Sequence, residues 1–289
     1  MYLDLERASG AHGTATATAA PRWTVLIPFF NERDYLAATI DSLAAQDVAF
    51  ELILVDNGST DDGAAVALAA ARSHGLPVRL LVERRPGKVA ALQAGLVAVE
   101  TRYVATCDAD TLYPPQYLRE AGRLLDRPGR VAAGAYFVTA DAEPSAFALE
   151  ASKIVAAGAL LPGLCHAGGA GQCFDAAALR AAGGFDPRIW NYVLEDHEVF
   201  HRVLAHGTIG YARDLWCVPS SRDRDRPSIR WTLGERLLYG VAGLGAGDWF
   251  FYRFLARRLA CRRLASAGMR ERSHDEHGGL AIAATHPVR

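Results

Sequence analysis

Apolar positions between residues 24 and 108 fall into two alternating rhythms. The short runs 24–28 ("TVLIP"), 51–56 ("ELILVD"), 78–83 ("VRLLVE") and 103–108 ("YVATCD") are almost continuously apolar, as strands buried on both faces are. Between them the spacing is helical. Tyr35, Leu36, Ile40 and Leu43 make a stripe in 32–46. The segment 59–75 offers Ser59 or Thr60 as a cap and ends at Gly75, and 87–99 starts on Gly87-Lys88. This alternation predicts an α/β fold with a mainly parallel, doubly wound sheet covered by helices on both faces.

The second half is less regular. Strands are expected at 131–138 and 208–218 and helices at 145–161 and 194–207; 166–186 reads as a glycine-rich turn, a short strand and a helix. The segment 248–264 places Phe251, Leu255 and Leu259 at i, i+4 and i+8, with Arg253, Arg257, Arg258 and Arg262 around another face and Asp248 as a cap. Such a basic amphipathic helix suits an anionic membrane surface, with "LLYGVAGLGAG" before it as a shallow apolar insertion. Binding to anionic vesicles is then expected to fail once residues 248–289 are removed. The expected organisation is a loose tail (1–20), a catalytic domain (21–230, donor half 21–115, acceptor half 116–230), an amphipathic arm (231–268) and a second tail (269–289).

Composition narrows the function. Half of the 289 residues are hydrophobic, enough for a sizeable core, and the net charge of −1 gives no argument for nucleic acid. The five cysteines are scattered and never in C-x-x-C spacing, which fits a reducing compartment. No apolar run reaches eighteen residues, and the first residues carry acids rather than a secretory h-region. A cytoplasmic protein, peripheral on the inner face of the cytoplasmic membrane, is expected.

Doubly wound sheets bind ligands beyond the carboxyl ends of their strands. Those ends carry Pro28 to Glu32, Asp56-Asn57-Gly58 and Asp108-Ala109-Asp110. A G-x-G-x-x-G after the first strand and a G-x-x-x-x-G-K-[ST] are both missing, which disfavours a dinucleotide site and a P-loop. Asp108 and Asp110 share one turn and would repel each other unless a cation lies between them. Oxygen-only ligands suit Mn²⁺ or Mg²⁺ rather than zinc.

Six motifs now stand in order: "VLIPFFNE", "LILVDNGSTD", "GKVAALQAGL", "CDADTLYPP", "GGAGQCFDAAALRAAGGFD" and "LEDHEVFHRVLAHG". Over residues 22 to 222 the chain resembles family-2 inverting glycosyltransferases of the GT-A fold. The resemblance implies a nucleotide-sugar donor, UDP-sugar favoured and GDP- or dTDP-sugar possible. Pro28, Asn31 and Glu32 would line the nucleoside pocket, Asp56 would bond base or ribose, and Lys88 would lie near the phosphates. Asp108 and Asp110 would be the metal-binding D-x-D pair, Asp110 the direct ligand. Asp196 would be the catalytic base, with Gly168, Gly169 and Glu195 on the acceptor side. The acceptor would be lipid-linked or a glycan. Asp196 at a helix head also fits a base on physical grounds, since the helix N-terminus favours its ionised form. Arg222, Arg224 and Arg226, alternating with acids, are candidates for a diphosphate clamp.

Two departures stand out. Relatives commonly read Asp-Asp-Gly-Ser where this chain has Asp56-Asn57-Gly58-Ser59, and the Q-x-x-R-W element of processive synthases survives only as Arg230-Trp231, with Pro227 at the glutamine position. The latter points to single-sugar transfer. Two rival readings remain. His197-Glu198-Val199-Phe200-His201 spells the H-E-x-x-H of zinc metalloproteases, although Leu204 and Gly207 stand where the longer form needs Gly and His. A noncatalytic sugar-nucleotide binder would need Asp110 or Asp196 missing, and both are present.

Overall fold

The computed structural model describes residues 21–139, 143–220, 231–242 and 245–268. Strands β1 (Trp23–Phe29), β2 (Phe50–Asp56), β3 (Val78–Val82) and β4 (Tyr103–Thr106) lie parallel in the order β3–β2–β1–β4. Helices α1 (Arg33–Ala44), α2 (Gly63–Ser73) and α3 (Lys88–Val97) make the crossovers. Every residue of β1 is buried, as its unbroken apolar run requires.

Past β4 the sheet changes direction. The remaining strands are β5 (Thr111–Leu112), β6 (Arg130–Gly134), β7 (Tyr136–Phe137), β8 (Gln172–Asp175), β9 (Thr208–Gly210) and β10 (Trp216–Pro219). β8 pairs antiparallel with both β4 and β6, and β9 runs parallel to β6, completing a seven-stranded sheet. β5, β10 and β7 form a separate three-stranded sheet. The expected strands at 131–138 and 208–218 are therefore each split between the two sheets.

Alternate side chains of the strands feed two cores. Val25, Ile27 and Leu54 meet α1, α2 and α4 (Tyr117–Leu125) on one face. Leu26, Ile53 and Val104 meet α3 and α7 (Glu195–Val203) on the other. Two further helices, α5 (Pro144–Leu160) and α6 (Ala176–Ala181), flank β8 in sequence.

The start of α2 corrects the sequence reading. Ser59 and Thr60 do not cap it; the helix begins at Gly63, with Asp62 at its N-cap. Their backbone N–H groups instead donate to Asp56 Oδ1 (2.7 Å) and Asn31 Oδ1 (2.8 Å), tying the ends of β1 and β2 together.

The C-terminal arm holds α8 (Leu233–Ala242), a π-helical turn (Trp249–Leu255) and α9 (Ala256–Cys261). The π turn brings both Phe250 and Phe251 inward, and Leu255 and Leu259 continue that face. These four pack with Trp190 and Val193 in a third core. The stripe read as lipid-facing is thus inside the protein: Phe251, Leu255 and Leu259 expose 1%, 0% and 0%. Asp248 also makes no capping bond; it pairs with His201 Nε2 at 2.8 Å. Among the described residues no helix is long and apolar enough to cross a membrane.

Candidate active site

The chain runs β1 to β3 in one direction, then returns to place β4 on the other side of β1. Helices on either side of this reversal leave a crevice at the strand ends. A small pocket opens there. Of the residues singled out in the sequence, Pro28, Lys88, Asp108, Gly169, Glu195 and Asp196 line it, together with Gln172 and Phe185.

Lys88 is the first residue of α3, where a cation is opposed by the helix dipole. Carboxylates compensate. Lys88 Nζ donates to Asp108 Oδ1 at 2.7 Å and stands 3.4 Å from Glu195 Oε1. Desolvation alone would depress the ammonium, but Asp108 and Glu195 outweigh it and hold the Lys88 pKa above the ordinary lysine value. Desolvation raises Glu195, Lys88 pulling against it and Asp196 adding to it.

The turn that presents Lys88 depends on Asn57. Its amide donates to the carbonyls of Glu83 (3.0 Å) and Arg85 (2.8 Å), while its Oδ1 accepts the Gly87 N–H at 2.8 Å. Gly87 has φ 113°, a region that favours glycine. An aspartate at 57 would face two carbonyl oxygens with no proton to give, which explains why this chain carries the amide.

Asp196 is the second residue of α7, among the unpaired N–H groups of that helix. Its Oδ1 accepts from the His197 backbone N–H (2.9 Å) and from His197 Nδ1 (3.0 Å). Gln172 Nε2 donates to the Asp196 carbonyl at 3.2 Å. Burial pushes the carboxyl up, yet His197 and Lys88 more than offset this and leave its pKa below the usual aspartate value. Opposite lies Gly169, where a Cβ would stand 3.3 Å from Lys88 Nζ and 3.5 Å from Asp196 Oδ2. Its bare backbone keeps the space between Asp196 and Lys88 open. Gly168 has a packing reason instead, since a Cβ there would meet the Phe137 ring at 2.5 Å.

The other residues expected on the donor side border the same sheet edge without lining this pocket. Asn31 and Asp56 carry the loop bonds described above, and Glu32 accepts the first backbone bonds of α1. Asp110 Oδ2 accepts from the Ser220 hydroxyl at 2.8 Å, fastening the D-x-D turn to the end of β10. One residue on, the buried Thr111 hydroxyl has no hydrogen-bond partner among the described residues. The two carboxylates of this turn and the orphaned hydroxyl are oxygen ligands of the kind that suits Mn²⁺ or Mg²⁺. Arg222, Arg224 and Arg226 lie outside the described residues.

The H-E-x-x-H reading fails on α7. Glu198 is buried and accepts from Arg202 Nε and Nη2 (2.7 and 2.8 Å) and from the Tyr252 hydroxyl (2.6 Å), so it is a structural anchor. His197 holds Asp196 and His201 holds Asp248. Among the described residues no group of three or more His, Cys, Asp or Glu converges on a metal position.

The arm contributes directly to the site, which the sequence reading missed. Trp231 and Tyr239 approach the His197 ring edge-on, with centroids at 5.1 and 5.7 Å. Ser266 reaches the turn before α3: its Oγ accepts from Val89 N–H at 3.4 Å and would lie 2.8 Å from a Cβ at Gly87. The surviving Arg-Trp pair was the one signal for Trp231; nothing marked Tyr239 or Ser266.

Residues 24–152 match the profile of glycosyl transferase family 2. That stretch, a little under half of the chain, is similar to the family. The chain is 38% identical over 108 residues to an undecaprenyl-phosphate 4-deoxy-4-formamido-L-arabinose transferase of Sodalis glossinidius, a stretch covering 36% of this chain and 32% of the relative. It is 33% identical over 120 residues to a dodecaprenyl-phosphate galacturonate synthase of Rhizobium johnstonii, covering 40% and 36%. The match thus spans about a third of each relative's length. The fold is GT-A. The mannosyltransferase PcManGT of Pyrobaculum calidifontis, solved with GDP-Man and Mn²⁺, superimposes with a TM-score of 0.62 at 21% identity, over 91% of this chain and 81% of that one.

Proposed function

We propose that the protein is an inverting glycosyltransferase moving a single sugar from a nucleoside-diphosphate sugar to a hydroxyl of a lipid-linked or glycan acceptor. The observation that carries this reading is the pairing across one crevice: an ionised aspartate with a free oxygen facing a glycine, beside a lysine–aspartate pair at the switch point of the sheet.

Asp196 Oδ2 takes the proton of the acceptor hydroxyl. The acceptor oxygen forms its bond to the anomeric carbon from the face opposite the leaving group. The bond from that carbon to the diphosphate breaks, and its electron pair departs with the nucleoside diphosphate. Lys88 supplies positive charge near the leaving group. Asp108 and Asp110 would hold Mn²⁺ or Mg²⁺, which supplies neutralisation of the diphosphate charge. Gly169 lets the acceptor approach the backbone. Pro28, Asn31, Glu32 and Asp56 take the nucleoside.

The protein would work against a membrane, at its cytoplasmic face, a reading supported by the relatives named for prenyl-phosphate substrates that match over a third of the chain. The test is calorimetry with UDP, GDP, dTDP and CMP, with and without Mn²⁺, on the wild type and Asp108→Asn. Mn²⁺-dependent binding of one nucleotide, weakened in the variant, is the expected result; binding of none would remove this reading. A phosphate acceptor is the second reading, prompted by the names of the relatives. It needs no proton removed, so Asp196→Asn would then keep most transfer to a prenyl phosphate.

A further inference from the structure

We infer that His197 is a positioning residue that fixes the Asp196 carboxylate for proton abstraction, and that Trp231 and Tyr239 of the arm fix His197 in turn. The inference rests on the transferase reading above and concerns the same site.

A carboxylate on a short side chain turns easily about its last bond, because that torsion has broad minima. Asp196 is denied this freedom. Two N–H groups of one residue, the backbone N–H and Nδ1 of His197, converge on its Oδ1 at 2.9 and 3.0 Å. Its Oδ2 accepts no hydrogen bond from the described residues and faces the Cβ-free space at Gly169. One oxygen is thus anchored and the other presented.

The ionised carboxylate can only accept, so His197 Nδ1 must carry the proton. That fixes the tautomer. The imidazole is held by contacts from outside its own helix, Trp231 at 5.1 Å and Tyr239 at 5.7 Å, both edge-on. Tyr239 is itself anchored, its hydroxyl accepting the Cys165 N–H at 2.9 Å. Trp231 stacks on Phe250 at 5.7 Å and 14°.

The device has a chemical cost. Donors to Oδ1 make Asp196 a weaker base, as its lowered pKa records. The gain is orientation: Oδ2 stands where the attacking hydroxyl arrives. When Oδ2 takes the proton, Oδ1 becomes the carbonyl oxygen and still accepts from Nδ1, so the anchor survives the step. The other charged groups beside Asp196 are Lys88 and Glu195, which face it from α3 and from its own helix.

Two measurements test this. Long-range ¹H–¹⁵N NMR of the full chain reads histidine tautomers, with the His197 signal assigned by its loss in His197→Asn. The expected result is an Nδ1–H imidazole that reverts to the ordinary Nε2–H form in Asp196→Ala. An Nε2–H form in the wild type, or no change in Asp196→Ala, overturns the inference. The second is acceptor-free hydrolysis of GDP-mannose, UDP-glucose and UDP-N-acetylglucosamine with Mn²⁺, water serving as the hydroxyl. His197→Asn keeps an N–H near the Nδ1 position and should stay within about threefold of wild type. His197→Leu should lose about tenfold or more in kcat with the donor KM within about twofold. A fully active His197→Leu, or equal losses in both variants with a raised KM, overturns the positioning role alone. Hydrolysis of none of the three donors by the wild type removes the transferase reading and this role with it.

Discussion

Single side chains in the donor half are committed to more than one task, and substitution separates the tasks. Asn57 donates to two carbonyls and accepts one N–H while 4% exposed. Asn57→Asp buries a charge against two acceptors. It should destabilise by about 2–3 kcal/mol, measured as a lower urea midpoint with unchanged m-value. A variant as stable as wild type would mean that the 83–87 turn does not depend on these bonds. Asp196 gives a pH prediction. Its folded pKa lies below the usual value, so its contribution to stability is complete above the unfolded value of about 3.9 and is lost as pH falls through the folded one. The stability gap between wild type and Asp196→Asn should therefore be open at neutral pH and shrink progressively as pH falls below the ordinary aspartate value. At this scale the sequence was informative where chemistry is local. Pro28, Lys88, Asp108, Glu195 and Asp196 were identifiable because each ends a strand or starts a helix. Asn57 looked like a lost acid, since its three partners lie some thirty residues away.

At the scale of elements, the arm is part of the catalytic body. The Val193 N–H donates to the Leu264 carbonyl at 3.1 Å and the Ser266 N–H to Asn191 at 3.0 Å, so one short segment reaches both the entry to α7 and the turn before α3. Removing 248–289 would strip Phe250, Phe251, Leu255 and Leu259 from Trp190 and Val193. Such a truncation is expected to lose its cooperative thermal transition, so it cannot report on membrane attachment; a sharp melt near that of the full chain would contradict this. Gly87→Ala should cost about 1–3 kcal/mol through its positive φ and its approach to Ser266. Ser266→Ala should leave the backbone strain in place and recover only part of that loss in a double variant, read from thermal midpoints. The strand–helix alternation of the first half was legible because β1, β2 and β4 are buried on both faces, β3 at the sheet edge keeps an apolar run while only partly buried, and each crossover is periodic. The arm was legible as amphipathic but not by partner. Periodicity shows that a face is apolar; only tertiary packing decides whether lipid or protein covers it.

The whole molecule must still meet the membrane if its acceptor is lipid-linked, and the buried 248–264 stripe cannot be the contact. The outward face of α8 offers another. Leu233, Leu237 and Val241 recur at i, i+4 and i+8 and expose 76%, 67% and 63%. The opposite side of the helix buries Glu235 and Ala242 against the arm. Over 231–268 six arginines face two acids. Glu235 holds Arg258 and Arg262, leaving Arg236, Arg253, Arg257 and Arg263 with no acidic partner among the described residues. A helix whose uncovered face is apolar, in an arm with uncompensated arginines, has the chemistry that suits an anionic bilayer surface. Each aliphatic side chain fully inserted would contribute about 1.5–3 kcal/mol, and each arginine near the surface about 1 kcal/mol. The full chain should then sediment with phosphatidylglycerol vesicles, weakly with pure phosphatidylcholine, and less as salt rises. Leu237→Glu with Val241→Glu should cut vesicle binding about tenfold or more while the thermal midpoint and nucleotide binding hold, because neither side chain packs in the core. Undiminished binding by that pair would move the contact elsewhere on the surface. A wild type that ignores anionic vesicles but forms dimers would show that this face meets a second copy of the chain, and the acceptor would then have to reach the crevice from solution.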